Sequence, residues 1–220
     1  MNPWTGLPPQ PPFLLAEDTD VVEAHNSRRK EIHQFRLDTL PEPFMGSLDA
    51  PVVLLNLNPG FHPSDLINYA PEPRAAMMRQ SLTHELPADQ AFYFLTEDFE
   101  GTGGWGWWYK KLKPLIEEVG LDRVRQGVQV IEYVPYKSQR FHGFKGRMPS
   151  QTYSFHLAQQ AVERGASVVA MRRSKDWMSV VPGFAEREPH VLNSVQNVTI
   201  SPGNCPTGFG ELVEKLRQLS

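Results

Sequence analysis

The sequence predicts an α/β fold, three αβα layers around a central, mainly parallel sheet of about four strands. Three observations predict it. Short apolar runs rich in β-branched residues recur along the 220-residue chain, amphipathic stretches of helical length separate them, and the runs end on turn formers. Strands alternating with helices imply a mainly parallel sheet with helices on both faces.

The elements follow in order. Residues 1–17 are expected to be a flexible, Pro-rich arm, because Pro3, Pro8, Pro9, Pro11 and Pro12 interrupt any helix. Residues 18–220 are expected to form a single domain. Asp18 or Asp20 can cap a helix to about Leu37, with Val21, Val22, His25, Ile32 and Phe35 near one face, before Leu40-Pro41-Glu42-Pro43 ends it. The run 52–57 is a strand covered on both faces, which Asn58-Pro59-Gly60 stops. A loop to about Pro73 leads to a helix near 74–82, and 91–95 is read as another short strand. The glycine-rich segment from Gly101 to Gly106 opens a stretch that turns helical at Trp107 or Trp108 and runs towards Val119, with Pro114 as a local kink. Gly127 and Pro135 bound a β-branched strand. A helix near 150–164, a strand at 167–171, a helix near 174–180, a last strand at 195–200 and a closing helix at 209–219 complete the alternation.

Composition sets limits on function. Hydrophobic residues at 40% and charged residues at 21% suit a soluble globular protein, not a disordered, collagen-like or membrane-spanning one. With Cys205 as the one cysteine, no intramolecular disulfide, four-thiolate zinc site or cysteine-ligated iron–sulfur cluster can form. A reducing cytoplasm fits, and neither a cofactor nor a metal is expected. Met1 to Pro12 lacks the basic residue and apolar core of a targeting signal.

The net charge of −3 conceals an asymmetry: eight Lys or Arg face two acids between Tyr133 and Phe184, a local +6 that leaves −9 elsewhere. The densest part holds Lys137, Arg140, His142, Lys145 and Arg147, interleaved with Phe141 and Phe144. Cations for phosphate and rings for stacking suit single-stranded or distorted nucleic acid, the expected partner; a solvated surface loop is the plainer alternative.

If the strands are parallel, the segments after their C-terminal ends share one rim, where ligands of open α/β sheets sit. Three are chemically rich: Asn58-Pro59-Gly60-Phe61-His62, the run from Glu132 to Ser138, and Ser201-Pro202-Gly203-Asn204-Cys205. Their order and spacing resemble the uracil-DNA glycosylase superfamily, especially its mismatch-specific and single-strand-selective branches, over most of the chain from about Leu40. In that family a G-x-N-P-G loop positions the attacking water, a middle strand ends in an Asn that reads the base edge, and a late H-P-S-P or N-P-S type loop inserts beside the lesion. Asn56-Leu57-Asn58-Pro59-Gly60, Glu132-Tyr133-Val134-Pro135 and Thr199-Ile200-Ser201-Pro202-Gly203-Asn204 look like these three in turn.

The resemblance implies a divergent glycosylase that hydrolyses the N-glycosidic bond of a damaged or deaminated base flipped from DNA. The alternative is a non-catalytic binder of nucleic acid or nucleotides on the same fold. Asn58 would hold the water and Glu132 or Asp65 would supply negative charge near the sugar. Asn56, Pro59, Gly60 and Tyr136 would bind the base, with Tyr69 as stacking platform and Phe61 as its alternative. Lys137, Arg140, His142, Lys145 and Arg147 would meet the backbone, and Ser201, Pro202, Gly203 and Asn204 would press on it or fill the gap.

The chain also departs from the family. Asn56 stands in place of Gly, Glu132 in place of the base-reading Asn, and Thr199 in place of a leaving-group His. An ionised carboxylate only accepts hydrogen bonds, whereas an amide also donates. Glu132 paired with Lys137 or Arg140 as a structural carboxylate is an equal reading. His62 is expected to face solvent, and Trp105, Trp107 and Trp108 to pack in the core. Gly101-x-Gly103-x-x-Gly106 formally matches a dinucleotide fingerprint, but Glu97, Asp98 and Glu100 would repel a pyrophosphate.

Overall fold

A computed structural model describes residues 1–144, 146–187 and 189–219. It is an α/β protein with a mixed five-stranded sheet: β1 (Phe44–Met45), β2 (Val52–Asn56), β3 (Val128–Glu132), β4 (Ser167–Ala170) and β5 (His190–Val191), in spatial order β1-β3-β2-β4-β5. β3, β2, β4 and β5 run parallel, and β1 is antiparallel to β3. The helices are α1 (Thr19–Asn26), α2 (Asp65–Asn68), α3 (Arg74–Thr83), α4 (Gly103–Val119), α5 (Leu121–Gly127), α6 (Gln151–Glu163), α7 (Ser174–Val180) and α8 (Phe209–Arg217).

β2 lies between β3 and β4, and Val52 to Leu55 are wholly buried, which is why the sequence there is a continuous apolar run. β1 docks where Gly46 lets two backbone segments nearly touch. Its φ is +98°, and a Cβ there would sit 2.3 Å from the Val128 carbonyl oxygen. The buried apolar residues form one cluster from Trp4 to Leu216. No helix among the described residues is long and apolar enough to cross a membrane.

Five expectations need correction. The sheet has five strands, one of them antiparallel, because the Pro-flanked 42–45 segment hydrogen-bonds to β3 and its exit: Glu132 N–H donates to Pro43 O and Glu42 N–H to Pro135 O. The first 17 residues are packed against the rest of the chain and do not project as an arm. Trp4, Phe13 and Leu15 are buried, and Asn2 Nδ2 donates to Leu82 O. The first helix stops at Asn26 because Asn26 turns its side chain onto the next segment, accepting from Phe35 N–H and donating to Phe35 O. Segment 91–95 holds a 3-10 turn, Tyr93–Leu95, whose rings pack with Tyr69 and Phe99 and form no ladder. Residues 195–200 form no strand, since Ile200 N–H donates to Lys111 O and Asn204 Nδ2 takes the carbonyls of Asn197 and Thr199. The edge strand is β5, two residues long and partly exposed, too short for periodicity to reveal.

Candidate functional site

β2 and β3 are parallel neighbours, and their last residues, Asn56 and Glu132, are register partners. Side chains paired across a ladder share a face. Asn56 Nδ2 accordingly donates to Glu132 Oε1 at 3.0 Å, with both residues buried. The ladder continues into the loops: Val134 N–H donates to Leu57 O, Ser138 N–H to Pro59 O and Phe61 N–H to Ser138 O. Asn58 is clamped between them, its Nδ2 donating to Pro59 O and to Ser138 Oγ, each at 3.0 Å. Both amide hydrogens are engaged, and among the described residues no protein group donates to Asn58 Oδ1.

These residues line a cavity of about 450 Å³, a size that suits a small ligand or a single flipped nucleotide. Asn56 and Glu132 contribute polar atoms with no protein partner: Asn56 Oδ1 and Glu132 Oε2 are both buried and unbonded among the described residues. Buried polar atoms without a protein partner are exceptional in a folded chain. Lys137 enters the same cavity, ion-paired with Glu42, and its ammonium lies 4.8 Å from the centre of the Tyr69 ring. Asp65 accepts from the His62 N–H at 2.9 Å.

Burial dominates the site's titration. It pushes Glu132 up to about 8, against the hydrogen bond from Asn56, which favours the ion; the Glu42 carboxylate adds to the rise and Arg172 opposes it. Glu132 is therefore a neutral acid at pH 7. Burial also raises Glu42 above the usual carboxylate range, more than Lys137 lowers it.

Of the residues singled out from the sequence, Asn56, Asn58, Pro59, Gly60, Phe61, Tyr69, Glu132 and Lys137 line this cavity. Three expectations are corrected. Tyr136 lies elsewhere: its OH donates to Asp18 Oδ2 at 2.8 Å and accepts from Leu15 N–H at 3.2 Å, tying the N-terminal segment down. Lys137, expected on the surface for phosphate, is 1% exposed, because Glu42 gives it a buried partner. Ser201, Pro202, Gly203 and Asn204 do not line the cavity, and Thr199 does not either. Asn204 is a local knot, accepting from Ser194 N–H and donating to Asn197 O and Thr199 O.

The remaining basic residues divide differently. Arg140, His142 and Arg147 are exposed, and Lys145 lies outside the described residues. The exposed part joins a second basic segment that sequence reading missed. Arg29 Nη2 donates to Gly143 O at 3.3 Å, His33 Nδ1–H donates to Arg140 O at 2.8 Å, and the His33 and His142 rings lie 4.9 Å apart. This ridge adjoins the cavity through Gln139 and Phe141, which line it.

Sequence reading missed Glu42 and Arg172; Trp108 is in the core as expected and Trp107 packs against it, and both also line the cavity. Arg172 carried a usable signal, since it follows β4 at the same rim as the other strand exits. The glycine fingerprint fails on structure: a 3-10 turn and no strand precedes α4, and a Cβ on Gly104 would meet the Phe94 ring at 2.3 Å. Gly104 serves packing. No known family, curated protein or solved structure matches the chain, so the resemblance rests on the loop motifs themselves.

Proposed function

We propose that the protein is a divergent DNA glycosylase that hydrolyses the N-glycosidic bond of a damaged or deaminated base flipped out of DNA. The observation that carries this reading is the clamped Asn58 amide, which lines the same cavity as the Asn56–Glu132 pair and whose Oδ1 accepts from no protein group among the described residues. A fixed acceptor holds a water in one orientation, and buried polar atoms beside it read a base edge. N-glycosidic hydrolysis needs that combination, because the sugar becomes cation-like as the base leaves and the water must be in place. Asp65 supports the developing cation. Phe61, whose ring carries the Arg36 guanidinium at 4.5 Å, and Trp107 offer apolar walls for an unstacked base. The basic ridge beside Phe141 would follow the phosphates. This chemistry calls for neither a cofactor nor a metal.

We also read the fold as three αβα layers. The β2-to-β3 and β3-to-β4 connections step across the sheet in opposite directions. Right-handed crossovers then put α4 and α6 on opposite faces.

The withdrawal of Thr199 and the 201–204 loop from the cavity supports a second reading, a non-catalytic nucleic-acid or nucleotide binder on the same fold. One experiment separates the two. Excess protein and its Asn58→Ala variant are incubated with labelled single- and double-stranded oligonucleotides carrying uracil, hypoxanthine, xanthine or mispaired bases, and abasic sites are scored. Hydrolysis predicts release by the wild type and a loss of about 10²-fold or more in the variant. Salt-dependent binding without release favours the binder, and neither result would direct attention to small nucleotides.

A further inference from the structure

The Asn56–Glu132 pair says more than that a base is read. Asn56 Nδ2 donates to Glu132 Oε1, which makes Oε1 the carbonyl oxygen of the neutral acid and puts its proton on Oε2. Both residues line the cavity, and Asn56 keeps an acceptor, Oδ1, that Glu132 does not use. Both Oδ1 and Oε2 are buried and unbonded among the described residues. The pair thus presents an acceptor beside a donor, and burial keeps the donor's proton in place at neutral pH.

We propose that this pair recognises a base whose amino group adjoins an unprotonated ring nitrogen, adenine or cytosine in chemistry, and that Glu132 transfers its Oε2 proton to that nitrogen as the base leaves. The proposal rests on the glycosylase reading and shifts its substrate from a deaminated base to a mispaired or damaged one that retains the amino group. The adenine amino group and N7, or the cytosine amino group and N3, offer a donor and an acceptor side by side. Hypoxanthine, xanthine and guanine offer two acceptors, O6 and N7, on the major-groove edge, so O6 would face Asn56 Oδ1 lone pair to lone pair, and guanine pairs an amino group with a ring lone pair only at N2 and N3, on the opposite edge. Uracil offers N3–H beside a carbonyl, which complements the pair, but it has no ring-nitrogen lone pair there to take a proton.

The chemical step balances. The C1′–N bond breaks with its electron pair going to the base, and the Glu132 proton neutralises the base at the ring nitrogen. The water held by Asn58 adds to C1′ and releases one proton, and solvent reprotonates Glu132. General acid catalysis of this kind suits poor leaving groups. It supplies what the absent family His would otherwise provide, since the Thr199 hydroxyl donates to Asn197 Oδ1 away from the cavity. The charged and titratable groups around Glu132 are Glu42 ahead of β1, Arg172 after β4, Tyr93 in the 3-10 turn, and Asp65 and Lys137 across the cavity.

The test uses the full chain and its Glu132→Gln variant, in which the amide keeps shape and a donor but has no transferable proton. Single-turnover release is measured from duplexes carrying mispaired adenine, mispaired cytosine, uracil or hypoxanthine, between pH 6 and 9.5. Binding of free adenine and free cytosine is followed in parallel by quenching of tryptophan fluorescence. The expected result is release of adenine or cytosine, slowed about 10²-fold or more by Glu132→Gln, with free-base affinity changed less than about threefold. Wild-type release should fall as pH rises through about 8. Release confined to uracil or hypoxanthine, or an unslowed variant, overturns the proposal and leaves the glycosylase reading standing. No release from any duplex overturns both that reading and the proton transfer, and free bases that fail to bind overturn the edge recognition as well.

Discussion

Glu132 should make the protein less stable as pH rises, and a single substitution should abolish that dependence. In the fold the carboxyl titrates near 8, whereas its ordinary value is 4.5. The folded value is the higher one, so between 4.5 and 8 the unfolded chain has lost a proton that the fold retains. Protonation linkage then lowers stability progressively across that window and leaves it flat above it. The difference of 3.5 pH units corresponds to about 5 kcal/mol over the whole window, at 1.36 kcal/mol per unit. The part between pH 6 and 8 is about 3 kcal/mol, less whatever relaxation and water entry through the cavity recover. Glu132→Gln keeps the hydrogen bond from Asn56 and cannot ionise. Urea unfolding of both proteins at pH 6, 7, 8 and 9 gives the comparison, and taking the difference removes the histidines, Cys205 and the amino terminus. The advantage of Glu132→Gln over the wild type should grow by about 2–3 kcal/mol from pH 6 to 9. A difference that stays constant within about 0.5 kcal/mol would refute the buried neutral acid and the proton transfer built upon it.

Lys137→Met leaves Glu42 buried without its cation and should cost about 3–5 kcal/mol in urea unfolding, while adding Glu42→Gln should restore most of the loss. If the double variant is as unstable as the single one, the two residues do not act as a pair. Tyr136→Phe removes the hydroxyl that joins Asp18 to the Leu15 amide and should cost about 1–3 kcal/mol. Hydrogen exchange should quicken first at residues 13–18, and uniform quickening would count against a local tie. Arg140→Gln should weaken oligonucleotide binding and reduce the slope of log affinity against log salt by about 1 if the ridge meets phosphate. An unchanged slope would place the nucleic acid elsewhere.

What the sequence disclosed follows the physics of each element. β2 was legible because a strand covered on both faces needs an unbroken apolar run, and β3 because its β-branched residues lie between Gly127 and Pro135. Their exits supplied Asn56, Asn58 and Glu132 without any knowledge of side-chain contacts. β5 was illegible because two residues at a partly exposed edge carry no periodicity, and the apolar run that resembled a last strand has its backbone satisfied by Lys111 and Asn204. Lys137 was misread for another reason. Its neighbours Arg140, His142 and Arg147 are exposed, and composition treats the run as uniform, but a buried partner on a distant segment decides where one cation goes. Tyr136 and Lys137 are adjacent, yet one side chain goes to the N-terminal segment and the other to the cavity. Trp107 and Trp108 pack with the core as their composition suggests, and the same rings also form part of the cavity lining.

The two strand-end residues that differ from the glycosylase loop motifs form a single feature. Asn56 and Glu132 are register partners, so a change at one is felt at the other. With glycine at 56, Glu132 Oε1 would lose its hydrogen-bond donor and the acid would be buried without any partner, at a cost of several kcal/mol if ionised. With asparagine at 132, the Asn56 amide would meet an amide, and the cavity would lose its transferable proton. Asn56 fixes which oxygen of Glu132 is the carbonyl, and burial favours a proton on the other. The substitutions that make the chain a poor match to a uracil-selective site thus combine into an acid–amide pair. Its chemistry suits a base that must be protonated before it can leave.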